Sequence, residues 1–396
     1  MPAPQPFLVY RDRIGAPSEI GFLRRQYIGF SRLHPVWIGR TVLPGAGEIS
    51  NDVVRLGSDS LLGPWHRLLF RQFGVVSGSL ATPARHAPPP RRGPPPRHGP
   101  VYPGHDAGEE WAGILHAQFA RGGSLALPLA RALNLRMAVT LHGGDVSKQK
   151  NWRCTVLAQR WPALVRETAR FICVSAAVAE IAAARGVPAD KLTILPIGVE
   201  IPDHPPMARR PGGHLFVGRF VEKKGIAVIA GAIRRLRAQG EATPLVCVGD
   251  GPLRPVLEAL ARETPGVTLT GWLPPEAVRA RMLDAVSLLV PSIIAGGGDT
   301  EGLPSVIPEA MAQGCPVIGS DQGGIAEAIR HDETGLLVPP GESGALAAAM
   351  LRMTREPGLR ACLSARGFAY AAEALNARIQ SEKLEALLLA ARDAAG

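Results

Sequence analysis

The chain has 396 residues, 46% of them hydrophobic and 20% charged, with a formal net charge of +10; that length and apolar content suit two domains with large cores. Its five cysteines, at 154, 173, 247, 315 and 362, show no paired spacing, which argues for a reducing compartment and against a zinc site. No apolar run reaches the ~18 residues of a membrane span, and Met1-Pro2-Ala3-Pro4 does not read as a signal peptide, so a cytoplasmic protein is expected. The charge is uneven: residues 1–205 hold 24 Lys and Arg against 14 Asp and Glu, and residues 206–396 hold 20 of each. A basic first half suits nucleic acid, an anionic membrane surface or an acidic acceptor. Nucleic acid ranks last, because neither an aromatic RNA-binding signature nor helix-turn-helix spacing is evident.

In chain order, Phe7 to Tyr10 reads as a first strand, Ser18 as the cap of a helix SEIGFLRRQYIGFSRL, and His34 to Val42 as the next strand. This is the β-α-β rhythm of a doubly wound sheet, whose ligands gather at the carboxyl ends of strands. The helix interleaves Phe22, Tyr27, Ile28 and Phe30 with Arg24, Arg25 and Arg32, which suits either a membrane surface or a domain helix with its arginines in water. Nine prolines among Arg, Gly and His interrupt the rhythm at 83–103, as either a surface insertion or an out-of-frame stretch of a GC-rich gene. The rhythm resumes with a strand WAGILHAQF ending in His116, a glycine loop 121–124, a helix LALPLARALNL and a buried strand MAVTLHGGD. The last of these presents His142, Gly143, Gly144 and Asp145 at its carboxyl end, where glycines admit close approach. Phe171 to Ser175, a helix capped by Ser175 and a strand LTILPIGVE complete a first domain at 1–205, and the Pro- and Gly-rich run 201–213 is the hinge.

A second domain at 206–370 opens with HLFVGRFVEKKG, a strand and a loop carrying Arg219, Lys223 and Lys224 beside glycines. Cations there suit a diphosphate leaving group, whose growing charge must be neutralised. LVCVG leads to Asp250-Gly251-Pro252, with Asp250 either a helix cap or a ligand, and VTLTGW and VSLLVP are further strands. The segment Gly296 to Glu327, GGGDTEGLPSVIPEAMAQGCPVIGSDQGGIAE, follows. A helix from about Pro304 to Gln313 would place Glu301 at its mouth and Glu309 two turns in. The N–H groups of Gly302 and Leu303 at that terminus would attract a phosphate. Ionised carboxylates only accept hydrogen bonds and suit sugar hydroxyl pairs. Phosphate between two sugars describes a nucleotide-sugar. A terminal helix at 371–396 closes the chain.

The Glu301 to Glu309 spacing, followed by Gly323-Gly324-Ile325-Ala326-Glu327, resembles the E-x7-E donor signature of retaining group 1, or family 4, glycosyltransferases of the GT-B fold, nearest to those of bacterial exopolysaccharide assembly. The resemblance implies two doubly wound Rossmann-like α/β domains facing across a cleft, with the terminal helix crossing back to the first. It implies transfer of a sugar from a UDP- or GDP-sugar to a saccharide or lipid-linked saccharide, with retention and without a metal or other cofactor. By the same resemblance Arg219 and Lys224 hold the diphosphate, Gly302 and Leu303 assist them, Glu301 holds the sugar and Glu309 the ribose diol. Asp250 lies at the floor of the donor site, and His142 lines the sugar pocket. His116 matches the first histidine of a His-x-His pair whose second position is Gln118 here. A basic first half fits an acceptor on an anionic lipid at the inner face of the membrane. A nucleotide-sugar epimerase of the same fold and a catalytically silent scaffold are the alternatives. A dinucleotide oxidoreductase is disfavoured, since no G-x-G-x-x-G follows the first strand of either half.

Overall fold

The structure is a computed structural model that describes residues 3–15, 19–50, 52–55, 111–153, 155–204 and 212–394. The proline-rich stretch at 83–103, the Ser18 cap and most of the hinge run, 205–211, lie outside the described residues. The chain packs as two compact units, one of residues 1–140, 154–172 and 382–396 and one of residues 141–153 and 173–381.

Two sheets organise the molecule. The first has seven strands in the order Val53–Arg55, Leu33–Gly39, Gln5–Tyr10, Ile114–Gln118, Arg136–Leu141, Arg170–Cys173 and Leu192–Ile194. The second has six, in the order Val267–Gly271, Leu245–Val248, Gly213–Val217, Ala285–Val290, Val317–Ser320 and Leu336–Val338. The registered pairs are parallel. Such strands are covered on both faces, so they read as unbroken apolar runs: Phe7 to Tyr10 and Val286 to Val290 are buried throughout. In both sheets the strand order runs outward from the first strand and then reverses. The reversal falls between Gln5–Tyr10 and Ile114–Gln118 in one sheet and between Gly213–Val217 and Ala285–Val290 in the other. Loops leaving the carboxyl ends of such a pair diverge to opposite faces and open a crevice for a ligand.

Several elements differ from the sequence expectation. The first helix is only Ile20–Arg25. Tyr27 and Phe30, expected on an amphipathic face, join an aromatic cluster instead: Phe7 stacks on Phe30 at 5.9 Å and Tyr27 meets Trp37 edge-on at 5.3 Å. The glycine loop at 121–124 is the first turn of a helix, Ala120–Ala132, because packing of Gly123 against Val139 and Leu164 outweighs the entropic cost of glycine in a helix. His116 sits inside its strand rather than at its end, fully buried. The C-terminal helical pattern is broken at Leu375 and Asn376 into Pro357–Ala374 and Ala377–Asp393. In the latter, the Glu385 carboxylate accepts from the backbone N–H groups of Ser31, Arg32 and Leu33 at 2.7–2.9 Å.

Candidate active site

At the reversal point of the second sheet, the loops after Gly213–Val217 and Ala285–Val290 bring opposite charges together. Lys223 Nζ lies 3.2 Å and Lys224 Nζ 3.3 Å from the same Glu301 oxygen, Oε1. Lys223 also lies 3.3 Å from Asp299 Oδ1, whose other oxygen pairs with Lys148 Nζ at 3.0 Å. The result is an unbroken row, Lys148, Asp299, Lys223, Glu301, Lys224, with three positive charges and two negative. Glu301 is nearly buried, its side chain 12% exposed. Burial pushes its carboxyl up, but Lys224 and then Lys223 outweigh that and hold it below the ordinary carboxylate range. The surplus positive charge makes this an anion-receptive site. A lysine ammonium is a point charge on a flexible stem and exchanges one oxygen partner for another without a fixed fork geometry.

Two backbone contacts bring further loops to Glu301. A Cβ at Gly302 would lie 2.2 Å from the carbonyl oxygen of His142, so only glycine fits there. A Cβ at Gly324 would lie 1.6 Å from the carbonyl oxygen of Gly302. The His142 loop, the Glu301–Gly302 loop and the Gly323–Gly324 turn are therefore stacked backbone on backbone. Asp145 Oδ1 accepts the His142 N–H at 3.0 Å and sets the conformation of its loop. Glu327, closing the same glycine turn, takes the N–H groups of Ala176 and Ala177 at 2.6 and 2.8 Å. Its charge is thereby placed on the first turn of the helix Ala176–Ala184, beside the Ser175 cap expected from sequence.

Of the residues singled out from sequence, Lys223, Lys224, Glu301 and Gly302 form this centre, with His142 joined to it through its backbone. Arg219 is exposed one residue after Gly218, where a Cβ would lie 3.6 Å from Lys224 Cε. Leu303 packs on the apolar cluster that includes Ile307 and Met311. The helix starts at Val306, not Pro304, so Glu309 lies in its first turn rather than two turns in. Pro308 in that turn costs no bond, since the N–H it lacks would have no intrahelical acceptor. Asp250 braces its turn, accepting from Gly251 N–H at 2.7 Å and Arg254 Nη1 at 3.0 Å; the following helix begins only at Arg254, so Asp250 is not its cap. Lys148 and Asp299 were missed. Asp299 is two residues from Glu301, but nothing local pairs it with a lysine some 150 residues earlier.

In the first sheet, His116 serves the core. Its ring accepts from Tyr27 Oη at Nδ1, 2.8 Å, and donates from Nε2 to Thr140 Oγ1, 2.7 Å, a direction set by Gln118 Nε2 donating to the Tyr27 oxygen at 2.7 Å. Burial pushes the imidazole down to about 3, so it stays neutral.

The fold is that of the GT-B glycosyltransferases. The fold matches HepE of Anabaena, solved with UDP, at a TM-score of 0.71 and 16% identity over 98% of this chain and 100% of that one. It also matches a sucrose-phosphate synthase of Thermosynechococcus elongatus at a TM-score of 0.68 and 20% identity, over 97% and 98% of the two chains. Residues 213–356 match the family model of glycosyl transferases group 1, and residues 75–201 that of glycosyltransferase family 4. The chain thus carries matches to a group 1 and a family 4 glycosyltransferase domain, each over about a third of its length. It is 32% identical over 257 residues to the amylovoran biosynthesis glycosyltransferase AmsK of Erwinia amylovora, covering 62% of each chain. It is 29% identical over 244 residues to glycogen synthase of Mycobacterium tuberculosis, covering 59% of this chain and 58% of that one. The match thus spans about three fifths of the length of these curated relatives. Among the described residues no helix is long and apolar enough to cross a membrane.

Proposed function

We propose that the chain transfers a sugar from a nucleotide-sugar to a saccharide acceptor, free or lipid-linked, with retention of configuration, in the building of a cell-surface polysaccharide. The observation that carries this is the pair of ammonium groups held on one Glu301 oxygen at the reversal point of the second sheet. A diphosphate entering there replaces the carboxylate as partner of Lys224, assisted by Arg219 and by the N–H groups of Gly302 and Leu303. Glu301, released from one lysine, takes hydroxyls of the transferred sugar. Charge that develops on the departing phosphate is met by cations already in place, which is the term that most lowers such a barrier. The chain's own cations take this role, and the reading assigns no metal. Glu309 takes the ribose diol, Asp250 borders the donor, and His142 lines the sugar side on a loop braced by Asp145. The name of AmsK supports an exopolysaccharide product, and the UDP and UDP-glucose complexes of HepE support a uridine donor.

The test is thermal unfolding of the protein with UDP, GDP, ADP and NAD in turn, followed by an acceptor screen with the matching sugar donor. A ligand at a hundred times its Kd adds about 2.7 kcal/mol, an easily read shift. A shift with UDP or GDP and an axial-to-axial course at the anomeric carbon, read by proton NMR of the product, support the reading. No nucleotide shift, or a free nucleotide-sugar as product without an acceptor, overturns it.

A further inference from the structure

The first sheet has a charged centre of its own at its reversal point, unused by the chemistry above. Tyr10 ends one central strand and is followed by Arg11 and Asp12; Gln118 ends the other and is followed by Phe119, Ala120 and Arg121. The neighbouring strand Leu33–Gly39 adds Arg40. Arg11 is locked by Glu19, which takes Nε at 2.8 Å and Nη2 at 2.6 Å, while its guanidinium lies over the Phe119 ring at 4.2 Å. Arg40 is locked by Asp12 in the same way, through Nε and Nη2. Burial pushes the Asp12 carboxyl up, but Arg40, Arg121 and Arg11 together hold it below the ordinary range.

Two features set this centre apart from a pair of ordinary ion pairs. The carboxylates engage only the Nε–Nη2 edge of each guanidinium, which has five N–H donors, so the Nη1 group of each remains for another acceptor or for the Tyr10 phenol lying against Arg40. Three arginines face two carboxylates, and Arg121, exposed at the start of the helix Ala120–Ala132, supplies the surplus charge. Between them Phe119 holds φ 67° and ψ 150°, a conformation strained for a side-chain-bearing residue and kept where geometry matters more than local comfort. One anionic group would neutralise the cluster.

We propose that Arg11, Arg40 and Arg121 bind an anionic group, a carboxylate or a phosphate, borne by a saccharide ligand. Arg11 and Arg40 act as pre-positioned forks, their rotamers held by Glu19 and Asp12, and Arg121 contributes a charge that forms no ion pair with a carboxylate among the described residues. Planar fork geometry suits carboxylate and phosphate alike. The proposal rests on the transferase reading only in taking the anion's carrier to be a saccharide; on that reading the acceptor is acidic.

The experiment is calorimetric titration of the full chain with methyl β-glucuronide, glucose 6-phosphate and uncharged methyl β-glucoside. At least one charged sugar should bind ten times or more tightly than methyl β-glucoside; preference for the glucuronide assigns a carboxylate, and preference for the 6-phosphate assigns a phosphate. Arg121→Ala and R121E should remove that preference by a factor of about ten to a hundred, the worth of a charge-assisted bond. Both change an exposed side chain, and Arg279→Ala, an exposed arginine of the other unit, should leave the preference intact. Equal affinity for charged and neutral sugars, or a preference that survives R121E, overturns the proposal. A nucleotide shift without a charged-sugar preference would sink this inference alone, whereas the preference without any nucleotide shift would sink the donor assignment alone.

Discussion

The two sheets share one topology and reverse at the same place, yet their reversal points carry different cations. In the second sheet they are lysines: three ammonium groups share two carboxylates in a row, each contact made by a single nitrogen at 3.0–3.3 Å. In the first sheet they are arginines, two of them clamped bidentately by a carboxylate of their own. On the proposed function, lysines so placed pass from Glu301 to an incoming phosphate and back, as a group leaving with growing charge requires. Clamped arginines stay put, as recognition of a fixed ligand group requires. The same fold thus places adaptable charge at one crevice and pre-organised charge at the other.

Removing one lysine should break the second centre most severely. Lys224→Ala should lower donor-dependent kcat/KM by about a hundredfold to a thousandfold, the usual loss when one stabilising group at a leaving charge is deleted. A loss of less than tenfold would mean that Lys223 and Arg219 carry the charge without it.

Glu301→Gln tests the carboxylate between them. It strands the Lys224 ammonium in a nearly buried site, leaves Lys223 paired with Asp299, and should cost about 3 kcal/mol at pH 7 by denaturant unfolding. Because the folded carboxyl titrates below its ordinary value of 4.5, its contribution is present above that pH and fades as pH falls through the folded value. The gap between the wild type and E301Q should therefore narrow below about pH 4.5. A constant gap would show that lost shape, not charge, is responsible.

His116 provides the contrast within the first sheet, a polar group kept neutral by burial. Its unfolded value is about 6.5 and its folded value about 3, so between those pH values the unfolded chain binds a proton that the folded chain refuses. Stability from this group is complete above pH 6.5 and falls with pH by about 1.4 kcal/mol per unit. His116→Gln should flatten the pH dependence of stability by about one proton between pH 4 and 6, measured by urea unfolding across that range. His214, buried and pushed down to about 4, should leave its own slope in both proteins.

The smallest effect is expected at the glycine turn. Glu327→Ala removes the acceptor of two N–H groups at a helix start and should cost about 1 kcal/mol. The readout is the unfolding midpoint, and hydrogen exchange at Ala176 and Ala177 should quicken with it.

Much of this was legible in the residues themselves. Unbroken apolar runs such as Phe7 to Tyr10 announce strands buried on both faces, and Ser175 announces a helix start, because burial and capping act over a few residues. Glu301, Lys224 and Gly302 were found because each stands beside glycines in its own strand-end loop. Local signals failed where distant parts compete for the same residues. The aromatic residues after Arg25 were drawn into the core by Phe7 and Trp37, and Gly123 into a helix by Val139 and Leu164. Order along the chain alone determined the doubly wound class and the charges available at each strand end. Only the tertiary structure decided their partners: Lys148 with Asp299, Glu327 with the helix at Ala176, Arg11 with Glu19 over the Phe119 ring. Coulomb attraction and hydrogen bonding act over a few ångströms of space, and which side chains come that close is set by strand order and register, which no local spacing encodes.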